Sequence, residues 1–261
     1  MTNSVKRGRI VQLFTKYNED TVIGILKFVS PEYSKDFEES NLFFNNLQNF
    51  HSIEHKEVGD PLEGVISNTF GNKDDTEDKV EMYMRRLDSP NSKIQKISVK
   101  EVTLKNTSDL TKEFKICCFS IIRFSDLVIN ENGEYKLSKK FIDDLKGIID
   151  DRNIYITVDI QAFINKISYI FSTKDIYFKT AIVRYFDKKH PLFSKIENNE
   201  ELLVRDIIDA SFYKTKKYAN QKEYRILTHK LRNNKVKIEG LYDIFRFLQN
   251  LDEVTFKLHR N

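Results

Sequence analysis

The segment Tyr218–Arg225, late in the chain, places polar side chains between apolar ones. Because side chains alternate between the two faces of a strand, a strand here puts Gln221 and Glu223 on one face and Lys222 on the other. A glutamate held in this way can act as a base or accept hydrogen bonds from a ribose, and the neighbouring amide can orient a substrate. The alternative is a structural ion pair, since ion-pair networks also hold carboxylates in place. The candidate partners are three cations: Arg225, Arg184 and Lys214. Both interpretations stay open.

The segment Val58–Glu63, early in the chain, carries a second group of acids. Pro61 fixes its own φ angle and restricts Asp60 to extended conformations. A carboxylate at such a position accepts hydrogen bonds from the nearby backbone, so a capped turn is the plainer interpretation. The functional alternative is that Asp60 or Glu63 faces a cleft and binds a polar ligand, because semi-buried carboxylates are candidates for function.

Basic residues follow one another around the late acidic segment, with two tyrosines between them. The set comprises Lys214, Lys216, Lys217, Lys222, Lys230 and Arg232, with Tyr213 and Tyr218 interleaved. Such a run can follow a phosphate backbone, which makes nucleic acid a candidate partner. The whole chain has 43 Lys and Arg against 39 Asp and Glu, a net charge of +4. This near balance favours a solvated face instead.

Other classes of site find little support in the sequence. The eight glycines are scattered and form no phosphate-binding loop. His51 and His55 are four residues apart, but no third ligand has a recognisable spacing, so we predict a polar turn and no metal site. Cys117 and Cys118 are adjacent in an apolar run, where neighbouring side chains point to opposite faces. A disulfide between them is therefore excluded, and we predict reduced, buried thiols.

The composition of the chain and the distribution of its Pro, Gly and Ser residues predict the location and the fold class. Reduced thiols are typical of the cytoplasm, no segment has the apolar length of a membrane span, and the N-terminus has no signal-peptide pattern. We therefore predict a cytoplasmic protein without a membrane partner. The 20 Phe and 12 Tyr suffice for a substantial core, and no Pro/Gly/Ser-rich linker divides the chain. We predict one α+β domain over residues 1–261, with a mostly antiparallel or mixed central sheet flanked by short helices.

Periodicity and turn residues predict the individual elements. The predicted strands are Arg9–Phe14, Thr21–Val29 (a helix over Val22–Phe28 being the alternative), Asn41–Asn45, Ile94–Leu104, Lys115–Ile122, Asn153–Asp159, Lys179–Tyr185, Glu223–Thr228, Val236–Ile238 and Val254–Leu258. The predicted helices are Pro31–Glu39, Ser138–Asp151, Ala162–Ile167, Glu200–Ile208 and a helix-like connection over Leu241–Leu248. Phe70–Thr76 reads as a turn, and Ile94–Leu104 is expected to be an antiparallel neighbour of Lys115–Ile122.

Four short blocks in order resemble a bacterial and phage family of unknown function. They are Asn41–Phe50, Gly59–Glu63, Ile116–Ser120 and Tyr218–Ile226. Members of that family typically carry an Asn-Asp-Pro-Phe-Glu-like turn, a Cys-Phe-Ser strand and a late Gln-x-Glu-Tyr-Arg segment. This chain departs from the pattern by having Gly59 in place of the Asn and by lacking the Trp-x-x-Tyr-Ala segment that often follows the Cys-Phe-Ser strand.

The layout of that family is similar to that of ADP-ribosyltransferases, in which a late glutamate promotes attack on the ribose of NAD. The resemblance implies that Glu223 is the catalytic acid and Gln221 its substrate-orienting neighbour. Lys27 and Phe28 occupy the position nearest to the early His or Arg of the transferases, and the implied binding residues are Asp60, Glu63, Arg225 and Lys27. The expected function is a toxin or phage-defence effector, an ADP-ribosyl transferase or NAD glycohydrolase with NAD as its cofactor.

The competing hypothesis is a non-catalytic module of a phage-defence system that binds a nucleotide, a nucleic acid or a partner protein through the same cleft. In that case Asp60, Glu63, Glu223 and Arg225 form a structural network, and replacing Glu223 affects stability instead of turnover.

Overall fold

The computed structural model describes residues 9–14, 18–51, 66–71, 79–84, 93–106, 109–187 and 200–259. The α-helices in these ranges are α1 Pro31–Glu38, α2 Lys139–Ile149, α3 Ile160–Thr173 and α4 Glu200–Ala210. The strands up to residue 106 are β1 Arg9–Phe14, β2 Val22–Val29, β3 Asn41–Phe43, β4 Asn45–Asn46, β5 Ile66–Gly71, β6 Val80–Met84, β7 Gln95–Val99 and β8 Glu101–Asn106. The later strands are β9 Phe114–Arg123, β10 Leu127–Ile129, β11 Tyr135–Leu137, β12 Asn153–Thr157, β13 Phe178–Ile182, β14 Arg184–Phe186, β15 Tyr213–Thr215, β16 Glu223–His229, β17 Lys235–Lys237, β18 Arg246–Leu248 and β19 Val254–His259.

The central sheet is antiparallel throughout, with the strand order β13-β16-β9-β2-β12-β18 and with β4 beside the beginning of β9. Strand β9 lies in the middle, and most of its ten residues are buried. A strand covered on both faces reads as a continuous apolar run, which is the pattern of this segment. The predicted α+β class with a mostly antiparallel central sheet flanked by short helices is confirmed.

The central sheet opens between β2 and β9. The two strands pair from Val22 to Leu26, where Leu26 lies opposite Ser120. Beyond that point β2 stays with β12 on its other side, Lys27 opposite Tyr155, while β9 is joined by β4 at Ile116. In the described part of the chain no strand pairs with β9 on this side between those two points. The divergence leaves a gap in the sheet beside Lys27.

Helices cover both faces of the central sheet. On one face α1 and α3 pack on β2 and β9 through residues at helical spacing, Phe163, Ile167 and Phe171 in α3. The opposite face carries two separate apolar clusters, one under α2 with Phe141, Leu145 and Ile148 and one under α4 with Ile207 and Ile208. Side-chain oxygens cap two of these helices: Ser138 Oγ accepts from the N–H of Phe141, and Asp159 Oδ1 from that of Ala162.

Smaller sheets surround the central one. One has the order β1-β19-β11-β10, in which β1 and β19 run parallel. Strands β14 and β15 form a short parallel pair, and the remaining pairs, β17 with β3, β5 with β8 and β6 with β7, are antiparallel. None of the helices in the described ranges is both long and apolar enough to cross a membrane.

Three local predictions are wrong. Ile94–Leu104 is not a neighbour of β9, because β7 pairs with β6 and β8 with β5; a period-2 pattern fixes which side of a strand is apolar but does not specify its partner. The apolar run Leu241–Leu248 forms a short 3-10 turn, Tyr242–Ile244, followed by β18, since a run this short fits either state. Strand β5 extends through Phe70 and Gly71, which the polar composition assigned to a turn.

Helix α3 provides a test of the packing. Phe163 is fully buried between the sheet and the helix, whereas Tyr169 of the same helix is 69% exposed. We expect Phe163→Ala to lower the free energy of unfolding by about 3–5 kcal/mol, because it removes a buried ring and leaves a cavity. Tyr169→Ala, the matched control, should change it by less than about 0.5 kcal/mol. Urea unfolding measures both; equal effects would contradict the burial assigned to this helix.

Candidate functional site

A cleft of about 290 Å³ occupies the place where β2 and β9 diverge. Its polar lining includes Lys27, Ser120, Arg152, Lys214, Gln221 and Glu223. Aromatic rings of Phe28, Tyr33, Phe43, Phe50 and Phe119 form much of the remaining wall. The volume lies at the lower end of the range of about 300–1,000 Å³ that small-molecule sites span.

A buried charge cluster centred on Glu223 forms one wall of the cleft. Glu223 begins β16, and Arg225 follows two residues later on the same face of that strand. The Arg225 guanidinium donates a hydrogen bond to each carboxylate oxygen of Glu223, from Nε to Oε1 at 2.6 Å and from Nη2 to Oε2 at 3.0 Å. The Lys214 Nζ approaches Oε2 from β15 at 3.2 Å. All three side chains are buried, so the single carboxylate is enclosed by two cations away from bulk water.

Further hydrogen bonds fix this cluster to the backbone around it. Lys214 Nζ also donates to Gln221 Oε1 at 2.7 Å, and the Ser120 hydroxyl donates to the Gln221 carbonyl at 2.8 Å. Arg225 Nη1 donates to the carbonyl of Ser211, at the end of α4. The cluster therefore connects β9, β15, β16 and the end of α4. It occupies the interval between the two apolar clusters under α2 and α4.

The protonation of Glu223 follows from this arrangement. Burial alone would raise the pKa of its carboxyl group, but the charges of Arg225 and Lys214 outweigh it, helped by hydrogen bonds from Arg225 and from the Cys118 thiol. The net result is a pKa well below the ordinary glutamate value. Glu223 is therefore an anion at neutral pH with little affinity for a proton.

Gln221 reaches the cluster by a route that the sequence did not predict. It ends the 3-10 turn Lys216–Gln221, and Lys222 then adopts a left-handed conformation with φ of 46°. The predicted strand alternation of Gln221 and Glu223 is therefore wrong. Their side chains meet because both accept a hydrogen bond from Lys214. Lys222 turns away and pairs with Asp126.

The predicted solvated face needs a correction at two residues, of which Lys222, half-buried and paired with Asp126, is the first. Lys216, Lys217, Lys230 and Arg232 are exposed, as expected. Lys214 is instead buried, with 3% of its surface exposed. Burial of a lysine is disfavoured unless the ammonium is paired, and Glu223 provides the counter-ion. Lys214 was one of three candidate ion-pair partners of Glu223 in the sequence, but nothing there indicates that it is buried while Lys216 and Lys217 are exposed.

Tyr185 in β14 is a member of the site that sequence reasoning missed. Its hydroxyl oxygen accepts a hydrogen bond from the backbone N–H of Glu223 at 3.0 Å. Burial and the adjacent Glu223 charge raise the pKa of the Tyr185 hydroxyl. The phenol therefore stays protonated at all physiological pH values and holds the beginning of β16 in place.

Lys27 lies in the gap of the sheet. Its Nζ donates to the Cys118 carbonyl at 2.8 Å, approaches Cys117 Sγ at 3.4 Å and lies 4.8 Å from the centre of the Phe119 ring. Burial raises the pKa of the Cys117 thiol although Lys27 opposes the shift. In the described part of the chain neither cysteine forms a disulfide; Cys117 is buried as predicted, whereas Cys118 is only half-buried. The Lys27 ammonium thus projects into the cleft from the strand opposite the charge cluster.

The charge of the cleft is positive. Lys27, Arg152 and Lys214 line it, and Glu223 is the one acid among the described lining residues. Arg225 adds a further positive charge directly behind Glu223, although it does not itself line the cleft. No described residue forms a side-chain hydrogen bond or ion pair with Arg152. Cations that exceed the local acids attract an anionic ligand.

The remaining predicted site residues fall elsewhere. Asp60, Glu63 and His55 lie outside the described residues, so their predicted roles stay predictions. Across the described ranges, no three His, Cys, Asp or Glu side chains lie close enough together to hold a metal ion. The structure therefore brings Lys27, Gln221 and Glu223 into one cleft and places Arg225 behind it.

Comparisons with known proteins give no relative. The chain matches no protein-family model, no curated protein and no solved structure. The resemblance to the phage and bacterial family and to ADP-ribosyltransferases stays a hypothesis, and the site has to be interpreted from its geometry.

The low pKa of Glu223 predicts how stability depends on pH. The folded-state pKa lies below that of the unfolded chain, so the stabilisation is fully present above the unfolded value, near pH 4.5, and decreases as pH falls below it. Glu223→Gln should remove this dependence. At pH 7 it should also lower the free energy of unfolding by about 3–5 kcal/mol, because two buried cations lose their counter-ion.

Urea unfolding from pH 3 to pH 7 provides the measurement. Glu113→Gln is the control, because the Glu113 side chain is 40% exposed and pairs with His229 at the surface; its effect should be at most about 1 kcal/mol. If Glu223→Gln and Glu113→Gln behave alike, the buried ion pair is not a major source of stability.

Proposed function

We propose that the protein is a binding module that holds a small phosphorylated ligand in the cleft between β2 and β9, and that Glu223 maintains the wall of this cleft without reacting. The observation that carries the proposal is the cation excess of the lining, Lys27, Arg152 and Lys214 against Glu223. Phosphate groups are the small-molecule anions that lysine and arginine side chains bind most often through charge-assisted hydrogen bonds.

The contacts of Glu223 argue against a role in acid–base chemistry. A general base works best when its pKa lies near the operating pH, whereas that of Glu223 is depressed. Both of its oxygens already accept hydrogen bonds from Arg225 or Lys214. A carboxylate that must stabilise developing positive charge on a ribose would have to give up one of these partners, at the cost of leaving a buried cation unpaired.

The NAD-processing hypothesis keeps one geometric argument in its favour. Glu223 and Gln221 both line the cleft, as a catalytic carboxylate and its orienting amide would have to do. NAD is also a phosphorylated ligand, so it belongs among the ligands to be tried. A transferase or glycohydrolase activity is therefore the second candidate, and the same assays distinguish it from binding alone.

The proposed setting is the cytoplasm, because the two free cysteines fit a reducing compartment. A role as a toxin or phage-defence effector is supported by the family resemblance of the four sequence blocks alone. Nucleic acid or a partner protein bound through the same cleft would be an alternative form of the binding module, and the restricted volume of the cleft favours a small ligand over either.

The two cations of the cleft that form no ion pair with a described acid provide the test of binding. We expect Lys27→Met and Arg152→Met each to weaken the binding of ADP, ATP, ADP-ribose or NAD by about tenfold or more, because a hydrogen bond to a charged group contributes about 1.5–3 kcal/mol. Isothermal titration calorimetry at two salt concentrations is the measurement, and binding should weaken at higher salt.

Lys136→Met is the matched control, since Lys136 is an exposed lysine of β11 in another sheet. An effect of Lys136→Met as large as that of Lys27→Met would show nonspecific charge attraction. If neither these four compounds nor inorganic pyrophosphate binds the wild-type protein at millimolar concentration, the proposed function is wrong.

A turnover assay distinguishes the two candidate functions. The purified protein is incubated with NAD, and release of nicotinamide is followed beside the Glu223→Gln variant, whose folding is checked by its thermal transition. We expect no release by either protein and a lower transition temperature for the variant. Release by the wild type that is lost in a variant with an unchanged transition would reverse this conclusion and establish cofactor chemistry.

A further inference from the structure

Two aromatic rings of the cleft lining are stacked on each other and partly exposed to solvent. Tyr33 of α1 and Phe43 of β3 are stacked, with ring centres 5.6 Å apart and planes inclined by 12°. They are 43% and 37% exposed. Other aromatic contacts of this region, such as those of Phe37 with Tyr155 and Phe245, are buried in the core and tilted or edge-on. A contiguous patch of exposed apolar side chains can mark a ligand-binding groove.

The position of the pair connects it to the cations. Tyr33 and Phe43 line the cleft together with Lys27 and Arg152. They also line a small adjoining recess of about 30 Å³, of which Lys27 and Val29 form part of the wall. A parallel aromatic surface and the Lys27 ammonium are therefore neighbours at one end of the cleft. These two features are complementary to a ligand in which a flat heteroaromatic ring is joined to an anionic group.

We propose that the Tyr33–Phe43 pair is a stacking platform for a nucleobase, so that the ligand of the cleft is a nucleoside phosphate whose phosphate groups are bound by Lys27 and Arg152. This inference rests on the proposed binding of a phosphorylated ligand. It goes further because it excludes free phosphates and sugar phosphates, which have no aromatic ring to place on the platform. Stacking on aromatic side chains tolerates any base, since every base presents a π face.

The size of the cleft favours a single nucleotide. A nucleoside phosphate can be a free nucleotide or the end of an oligonucleotide, and both carry the same recognised groups. The cleft volume of about 290 Å³ lies just below the range of about 300–1,000 Å³ for small-molecule sites, which favours one nucleotide over a longer chain. ADP, the dinucleotide pApA and inorganic pyrophosphate are therefore the probes that distinguish the sources.

The test compares variants of the platform. Tyr33→Leu and Phe43→Leu retain an apolar side chain but remove the ring face, whereas Tyr33→Phe retains the ring. Tyr169→Leu, at the exposed tyrosine of α3, is the control for loss of a surface ring elsewhere. Calorimetric titration with each probe gives the dissociation constants, and the thermal transition of each variant shows that it is folded.

We expect ADP to bind the wild-type protein more tightly than pyrophosphate and pApA to bind no more tightly than ADP. Tyr33→Leu and Phe43→Leu should each weaken ADP binding by about tenfold while leaving pyrophosphate binding unchanged. Tyr33→Phe and Tyr169→Leu should bind ADP as the wild type does. The selective loss for ADP is the result that a purely structural role of the rings would not produce.

Other results would contradict either the base-stacking inference alone or the proposed function as well. If pyrophosphate binds and depends on Lys27, but ADP binds no more tightly or is unaffected by both platform variants, the cleft is an anion site and the base-stacking inference alone is wrong. If pApA binds much more tightly than ADP, the ligand is an oligonucleotide. If neither ADP nor pyrophosphate binds the wild type, the proposed function and this inference both fail.

Discussion

The ion pair between Glu223 and Arg225 is the interaction on which the arrangement of the cleft depends. A fully buried arginine is among the costliest side chains to place in a protein interior, and here its guanidinium binds both oxygens of one carboxylate. The same carboxylate neutralises Lys214, and the outer guanidinium nitrogen holds the Ser211 carbonyl. Glu223 is therefore the counter-ion that allows β15, β16 and the end of α4 to meet.

The second constraint is the divergence of β2 from β9. Had the two strands paired to their ends, the sheet would have closed over the Cys118 backbone and no cleft would exist. Strand β2 stays with β12 instead and leads into α1 at Pro31, while β4 joins β9 from the other direction. Lys27 spans the resulting gap by its hydrogen bond to the Cys118 carbonyl. The cleft thus has the Lys27 ammonium of β2 on one side. On the other side it has the Glu223 carboxylate, which is paired with two cations.

Sequence patterns predicted the parts of the fold that are governed by local physics. Helix α2 was predicted with nearly its observed bounds from the spacing of its buried residues, and the beginning of β16 was placed at Glu223. Helix α3, by contrast, extends over Ile160–Thr173, well beyond the predicted Ala162–Ile167. The sequence did not indicate which strands pair, because the partner depends on the whole chain. It also gave no sign of the left-handed Lys222, since lysine rarely adopts positive φ and carries no signal for it. Consequently the route by which Gln221 meets Glu223 was missed.

Part of the candidate site was predictable from the sequence, and part was not. Glu223, Gln221, Arg225 and Lys27 stood out in the sequence. The burial of Lys214, by contrast, results from a strand pair, β14 with β15, that joins distant segments. Tyr33 and Phe43 gave no signal either, because exposed rings are recognised only after the fold shows which rings are covered. What the chain binds is thus decided largely by side chains that become neighbours through tertiary structure.

A double-mutant cycle measures whether Glu223 and Arg225 depend on each other inside the fold. The free energies of unfolding are measured at pH 7 for the wild type, Glu223→Gln, Arg225→Met and the double variant. If the carboxylate is the buried counter-ion described above, the double variant will be less destabilised than the sum of the single variants, with a coupling energy of about 2 kcal/mol or more. Additive effects would show that the two groups act independently and would contradict the account.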